Sequence, residues 1–312
     1  MGIREYQTMY NPQRKDDFFH AFPQHERYRA FFGIQQGVGS HEVNIDTDIA
    51  DMSFDDLEVA CQNVKIYLPE HLVRFKAMLN AYMEWQKSLG NNNADDLVSE
   101  LFRIRFDLSR HFPEYIVQDP NEIISALALH YPPRFAYYEP IVAILCWAGL
   151  NYEMICSLAA DSVTPENNII KVQVEGRFFV IEDPLHVQLI NAYLGVKDGQ
   201  SVPRQYDAHV YNTGHFLYAV PSSRGELPAP VSPDTVRKRF SAALLECCSW
   251  YQGGFLGLQK SGYCHRMYAY EQQGNTDLDR YIQDNEPTAP ASIRKIKALV
   301  DMYQIYKRTY YL

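Results

Sequence analysis

Apolar positions recur at helical spacing through the first third of the chain. Phe18, Phe19, Phe22, Tyr28, Phe31 and Phe32 follow Asn11-Pro12, which sets a capping residue and a proline at a helix start, and Gly33 breaks the run. Gly37-Val38-Gly39-Ser40 reads as a loop. Ser53-Phe54-Asp55-Asp56 opens another helix, with serine as N-cap and acids in the first turn. From Pro69 to Leu89 the residues Leu72, Phe75, Leu79, Tyr82 and Met83 share one helical face, and Gly90-Asn91-Asn92-Asn93 stops it. A further helix is expected from about Asp95 to Arg110. The N-terminal region, residues 1–115, therefore reads as all-helical.

Residues 116–312 read as a second domain. Asp119-Pro120-Asn121-Glu122 is a cap with proline at the first helical position, and Phe135 to Gly149 is apolar almost all round, as in a helix at the centre of a domain. Then the period changes. Ile170, Val172 and Val174 alternate with Lys171, Gln173 and Glu175, and Gly176 turns the chain into Phe178-Phe179-Val180-Ile181, a β-hairpin within a helical protein. Residues 198–231 read as loop with a short strand near Phe216 to Val220. Helices are expected from Ser232-Pro233-Asp234 to about Cys248, from Lys260 to Gln273, and from Ala291 to Tyr311. The fold class is mainly α with a small β-hairpin or sheet.

Composition narrows the partners. At 312 residues, 46% hydrophobic and 21% charged, the chain suits two globular domains. It has no apolar run long enough for a membrane span, and no signal-peptide core follows Met1. The cysteines Cys61, Cys146, Cys156, Cys247, Cys248 and Cys264 form no CxxC pair, and the histidines show no HxxxH spacing. A reduced, cytoplasmic protein without cofactor or metal is expected. The net charge of −9 argues against a polyanionic partner, but residues 230–312 carry 11 Lys/Arg against 8 Asp/Glu and form the only basic third.

Three features then occur in one order: a helical domain whose long helix ends in Tyr82-Met83-Glu84-Trp85; a buried helix leading through Ala148-Gly149-Leu150-Asn151-Tyr152-Glu153 to a hairpin; and Val231-Ser232-Pro233-Asp234-Thr235-Val236-Arg237-Lys238-Arg239-Phe240 before another helix. This order resembles the tyrosine recombinases, or phage integrases, over nearly the whole chain. The resemblance implies a core-binding domain, then a catalytic-type domain. In that family a tyrosine attacks a DNA phosphate while arginines, a lysine and histidines hold the charged transition state.

Here the catalytic set is incomplete. Asn151 stands where the family's first arginine follows Gly-Leu, and a short neutral amide cannot clamp a phosphate. In Ser261-Gly262-Tyr263-Cys264-His265-Arg266-Met267 only Arg266 matches the second motif, with Tyr263 and Met267 at the histidine positions. Arg177 stands loosely near the lysine. Tyr303, Tyr306, Tyr310 and Tyr311 supply phenols near the C-terminus, read chiefly as packing.

Lys260-Ser261-Gly262-Tyr263-Cys264-His265-Arg266-Met267-Tyr268, Met302-Tyr303-Gln304-Ile305-Tyr306-Lys307 and Met9-Tyr10-Asn11 bring the chain closer to the SPbeta-type phage lytic-cycle repressors. That resemblance implies an integrase fold retained for operator binding in a prophage, with no enzymatic activity. The expected partner is double-stranded DNA, with a homo-oligomer or a regulatory protein or peptide as a further partner and no membrane. Candidate DNA contacts are Arg237, Lys238, Arg239, Lys260, His265 and Arg266, and, on the long N-terminal helix, His71, Arg74 and Lys76. For each, a solvated face or a structural hydrogen bond is the plainer alternative. An active recombinase and a protein-interaction module that has lost DNA binding are the rival functions.

Overall fold

The computed structural model describes residues 8–200, 209–219, 229–285 and 293–312. The chain divides into two compact units, Met1–Phe112 and Pro113–Leu312. Among the described residues the regular elements of the first are helical: α1 (Pro12–Ala21), α2 (Gly39–Ile45), α3 (Phe54–Gln62), α4 (Pro69–Ser88) and α5 (Asn92–Glu100). Its core joins Phe18, Phe19, Phe32, Phe75, Leu79, Tyr82 and Met83, the same apolar positions that recur along the sequence. Ser53 caps α3 by accepting from the Asp56 N–H at 3.2 Å.

Three expectations fail in this unit. The opening helix ends at Ala21, because Pro23 starts a 3-10 segment that runs to Phe32. Gly39 and Ser40 lie in α2 rather than a loop. That helix is held by a contact invisible to a hydrophobic pattern: the Lys15 ammonium, fully buried, donates to Glu42 at 2.7 Å and to Asp48 at 2.7 Å. The expected helix to Arg110 stops at Glu100. Beyond it Ile104, Phe106 and Leu108 pack on the core with a spacing of two, the period of extended chain, and Ile104 has ψ near 121°.

The second unit comprises α6 (Asn121–His130), α7 (Glu139–Ala148), α8 (Tyr152–Ser157), the strands β1 (Val163–Glu166), β2 (Ile169–Val174) and β3 (Arg177–Ile181), then α9 (Pro184–Leu194), α10 (Pro233–Cys247), α11 (Gly254–Gln272), α12 (Leu278–Asn285) and α13 (Ile293–Tyr310). The protein is thus mainly α with a three-stranded antiparallel sheet in the order β1-β2-β3. β1, α8, α9 and α12 have no counterpart among the expected elements. No strand forms near Phe216 among the described residues; isolated bridges join Ala159 to His215 and Tyr211 to Ala219, and Val220 lies outside them.

α7 is the axis of this unit, with Ile141 to Cys146 fully buried. It begins later than the apolar run suggests, because Ala136 at φ 66° breaks the backbone before Pro140 restarts it at the helical N-terminus. α11 begins six residues before Lys260 and crosses α7 closely. A Cβ at Gly262 would stand 2.0 Å from the Trp147 carbonyl oxygen, so only glycine permits that approach.

Candidate nucleic-acid interface

Ser232 caps α10 through the Thr235 N–H at 3.2 Å and so fixes where the basic run Arg237-Lys238-Arg239 begins to wind. Val236 and Phe240 are buried, which turns their neighbours outward. Arg237 and Lys238 are exposed, their side chains 61% and 77% accessible, and both pair with Asp234 in the first turn. Arg239 departs from the expected face. Its Nε donates to Glu139 Oε1 at 2.9 Å and its guanidinium lies 4.4 Å from the Tyr138 ring, so the C-terminal unit holds it inward.

The close α7–α11 crossing at Gly262 sets the next pair. One turn further on, Arg266 donates to the Trp147 carbonyl at 2.6 Å and lies 5.3 Å from the Tyr263 ring. His265 sits 5.4 Å from the Trp147 ring. Burial, followed by the neighbouring Arg266 charge, lowers the His265 pKa and favours the neutral imidazole. Both residues line an open groove of about 880 Å³ with Arg177, Phe178, Tyr281 and Tyr311. Lys260, half-buried on the same helix, does not line it.

Other polar groups of the groove have structural work. Asp183 caps α9 through the Leu185 N–H at 2.9 Å and accepts from the Asn121 amide at 3.2 Å. His186 shares a 2.9 Å hydrogen bond with Asn121. The Arg177 side chain, exposed on the sheet, has no polar partner among the described residues.

Asn151 has a local role of its own. Its side-chain oxygen accepts from the Met154 N–H at 2.8 Å and caps α8. Of the C-terminal tyrosines, Tyr303 and Tyr306 are buried and Tyr310 is half-buried. Tyr303 donates to Glu271 at 2.7 Å and Tyr310 to the Ile116 carbonyl at 2.5 Å, while Tyr306 is fully buried. Desolvation leads in raising the pKa of all three, so each phenol stays neutral. Tyr311 differs: it stacks on Tyr268 at 3.7 Å and borders the groove. The sequence offered four equivalent phenols, and only packing separates this one from the rest.

In the N-terminal unit, His71, Arg74 and Lys76 lie on α4. His71 is half-buried, 6.2 Å from the Tyr67 ring, and Arg74 is exposed. Lys76 is exposed with its ammonium 5.0 Å from the Phe106 ring, beside a small groove of about 360 Å³. Among the described residues no group of three His, Cys, Asp or Glu side chains could hold a metal, and no helix is long and apolar enough to cross a membrane.

No family model matches the chain, and no curated protein matches it. Among solved structures, the chain is similar to a crystal structure of XerA recombinase, at 14% identity and a TM-score of 0.41, covering 99% of each chain.

Proposed function

We propose that the protein binds duplex DNA in a sequence-specific manner and acts as a transcriptional repressor of phage lytic genes, on a tyrosine-recombinase-like fold that performs no strand cleavage. The observation that carries the reading is the groove in which Arg177 and Arg266 stand with His265. The exposed Arg237 and Lys238 add positive charge at the head of α10, where helix geometry presents side chains to phosphates and base edges. The repressor role itself rests on the sequence resemblance. The absence of cleavage is supported by Asn151, engaged as a helix cap, and by the burial of Tyr303 and Tyr306. Binding of the purified protein to sheared DNA of its source genome, sequenced at two salt concentrations, tests it. A few strongly enriched sites sharing a motif are expected; uniform or absent enrichment overturns the reading and favours a protein-interaction module.

One observation favours a second reading, an active recombinase. Tyr311 borders the same groove as Arg177 and Arg266. A covalent protein–DNA adduct on nicked duplex, lost in Tyr311→Phe and kept in Tyr306→Phe, would establish it.

A further inference from the structure

β3 is an edge strand of the sheet, and all five of its residues line the groove. It is joined to β2 by a two-residue turn, Glu175 at φ 50° and Gly176 at φ 74°, with Val174 opposite Arg177. In such a turn the flanking residues form a hydrogen-bonded pair, and the ladder alternates from there. Arg177, Phe179 and Ile181 therefore bond to β2. The backbone N–H and C=O of Phe178 and Val180 turn away from it and have no partner among the described residues. Their side chains share one face and are 66% and 50% exposed. An unpaired edge of this kind is a template for another strand.

The ends of this edge carry opposite charges. Arg177 opens β3, and Glu182 follows its last residue, about 17 Å further along an extended chain. Neither has a polar partner among the described residues. Asp183, by contrast, is engaged as a helix cap. An antiparallel strand laid on β3 brings its C-terminal end to Arg177 and its N-terminal end to Glu182. A parallel one reverses that match.

We propose that this edge binds a short extended peptide by antiparallel strand addition. The fitting ligand has a free carboxylate beside Arg177, apolar side chains opposite Phe178 and Val180, and a cationic residue opposite Glu182. Backbone hydrogen bonds to two residues supply affinity, and the terminal charges and alternating apolar positions supply specificity. The edge lies in the groove that the DNA reading also uses and shares Arg177 with it, so peptide and duplex would compete for this site.

Titration calorimetry of the full chain with N-acetylated Lys-Thr-Val-Thr-Val-Thr, its carboxylate free, tests it. Binding is expected, and at least tenfold weaker binding for acetylated Glu-Thr-Val-Thr-Val-Lys amide, which carries the same pattern with the charges reversed. Val180→Pro removes an outward N–H without touching the β2 ladder and should abolish binding while the circular dichroism stays native. The double variant Arg177→Glu/Glu182→Arg, changed only at exposed positions, should invert the preference between the two peptides. No heat with either peptide, equal affinity for both, or binding unchanged by the charge swap overturns the proposal. Heat from a short mixed-sequence duplex with none from the peptides does so too, and leaves the DNA reading standing.

Discussion

Arg239 and Glu139 lie 100 residues apart in sequence and form one ion pair, with Nη2 and Nε of the arginine 2.7 and 2.9 Å from the same carboxylate oxygen. The Glu139 side chain is 2% exposed. A carboxylate so deeply placed depends on its cation, because removing one partner of a buried pair strands the other charge.

Arg239→Ala should therefore destabilise the protein by about 3 kcal/mol, read as a lower urea midpoint. Arg237→Ala and Lys238→Ala should leave the midpoint unchanged, because their pairs with Asp234 are solvated at the surface. An equal loss for all three would show that Arg239 is not held as described.

Reversing the exposed pair, Arg237→Glu with Lys238→Glu, should weaken duplex binding at every sequence. The slope of log affinity against log salt should fall by about 2. Filter binding over a salt series checks this, and an unchanged slope removes α10 from the interface.

Asn151→Ala should cost about 1 kcal/mol through loss of the α8 cap. Asn151→Arg should cost a similar amount, since an arginine cannot replace the short acceptor that meets the Met154 N–H. Thermal unfolding distinguishes this capping role from a residue that is free to vary.

Lys15→Met should destabilise the N-terminal unit by about 3–5 kcal/mol, because Glu42 and Asp48 would be left facing each other without their shared cation. Urea unfolding, followed by the fluorescence of Trp85 in that unit, reads the loss.

The same cluster gives a pH signature. Burial by itself would raise the Asp48 pKa, but the Lys15 charge and hydrogen bonds from Lys15 and the Ala50 N–H bring it below the ordinary 3.8. For Glu42, burial outweighs Lys15 and leaves the pKa above 4.5. The Asp48 contribution is present above its unfolded pKa and lost as pH falls through the folded value. That of Glu42 is present below its unfolded pKa and lost as pH rises through the folded value. Their joint contribution is thus greatest between 3.8 and 4.5. Carboxyl titration by NMR should place Asp48 below this window and Glu42 above it; the reverse order would contradict the cluster's electrostatics.

The local chemistry of the chain determined much of the fold by itself. Ser53 and Ser232 marked helix starts, the apolar face of Pro69–Leu89 marked α4, and alternation about Gly176 marked the β2–β3 hairpin. Each depends on neighbours a few residues apart, and periodicity records that directly. Tertiary structure decided the rest. Arg237, Lys238 and Arg239 are consecutive cations, yet only the third meets a buried carboxylate from α7. Tyr306 and Tyr311 are chemically equivalent along the chain, yet one is fully buried and the other borders the groove. Lys15 is a cation of α1 that can be buried only because Glu42 and Asp48 arrive from other elements to neutralise it. The physical reason is common to all three: burial and charge pairing depend on which residues meet across the fold, and local spacing along the chain does not encode that meeting.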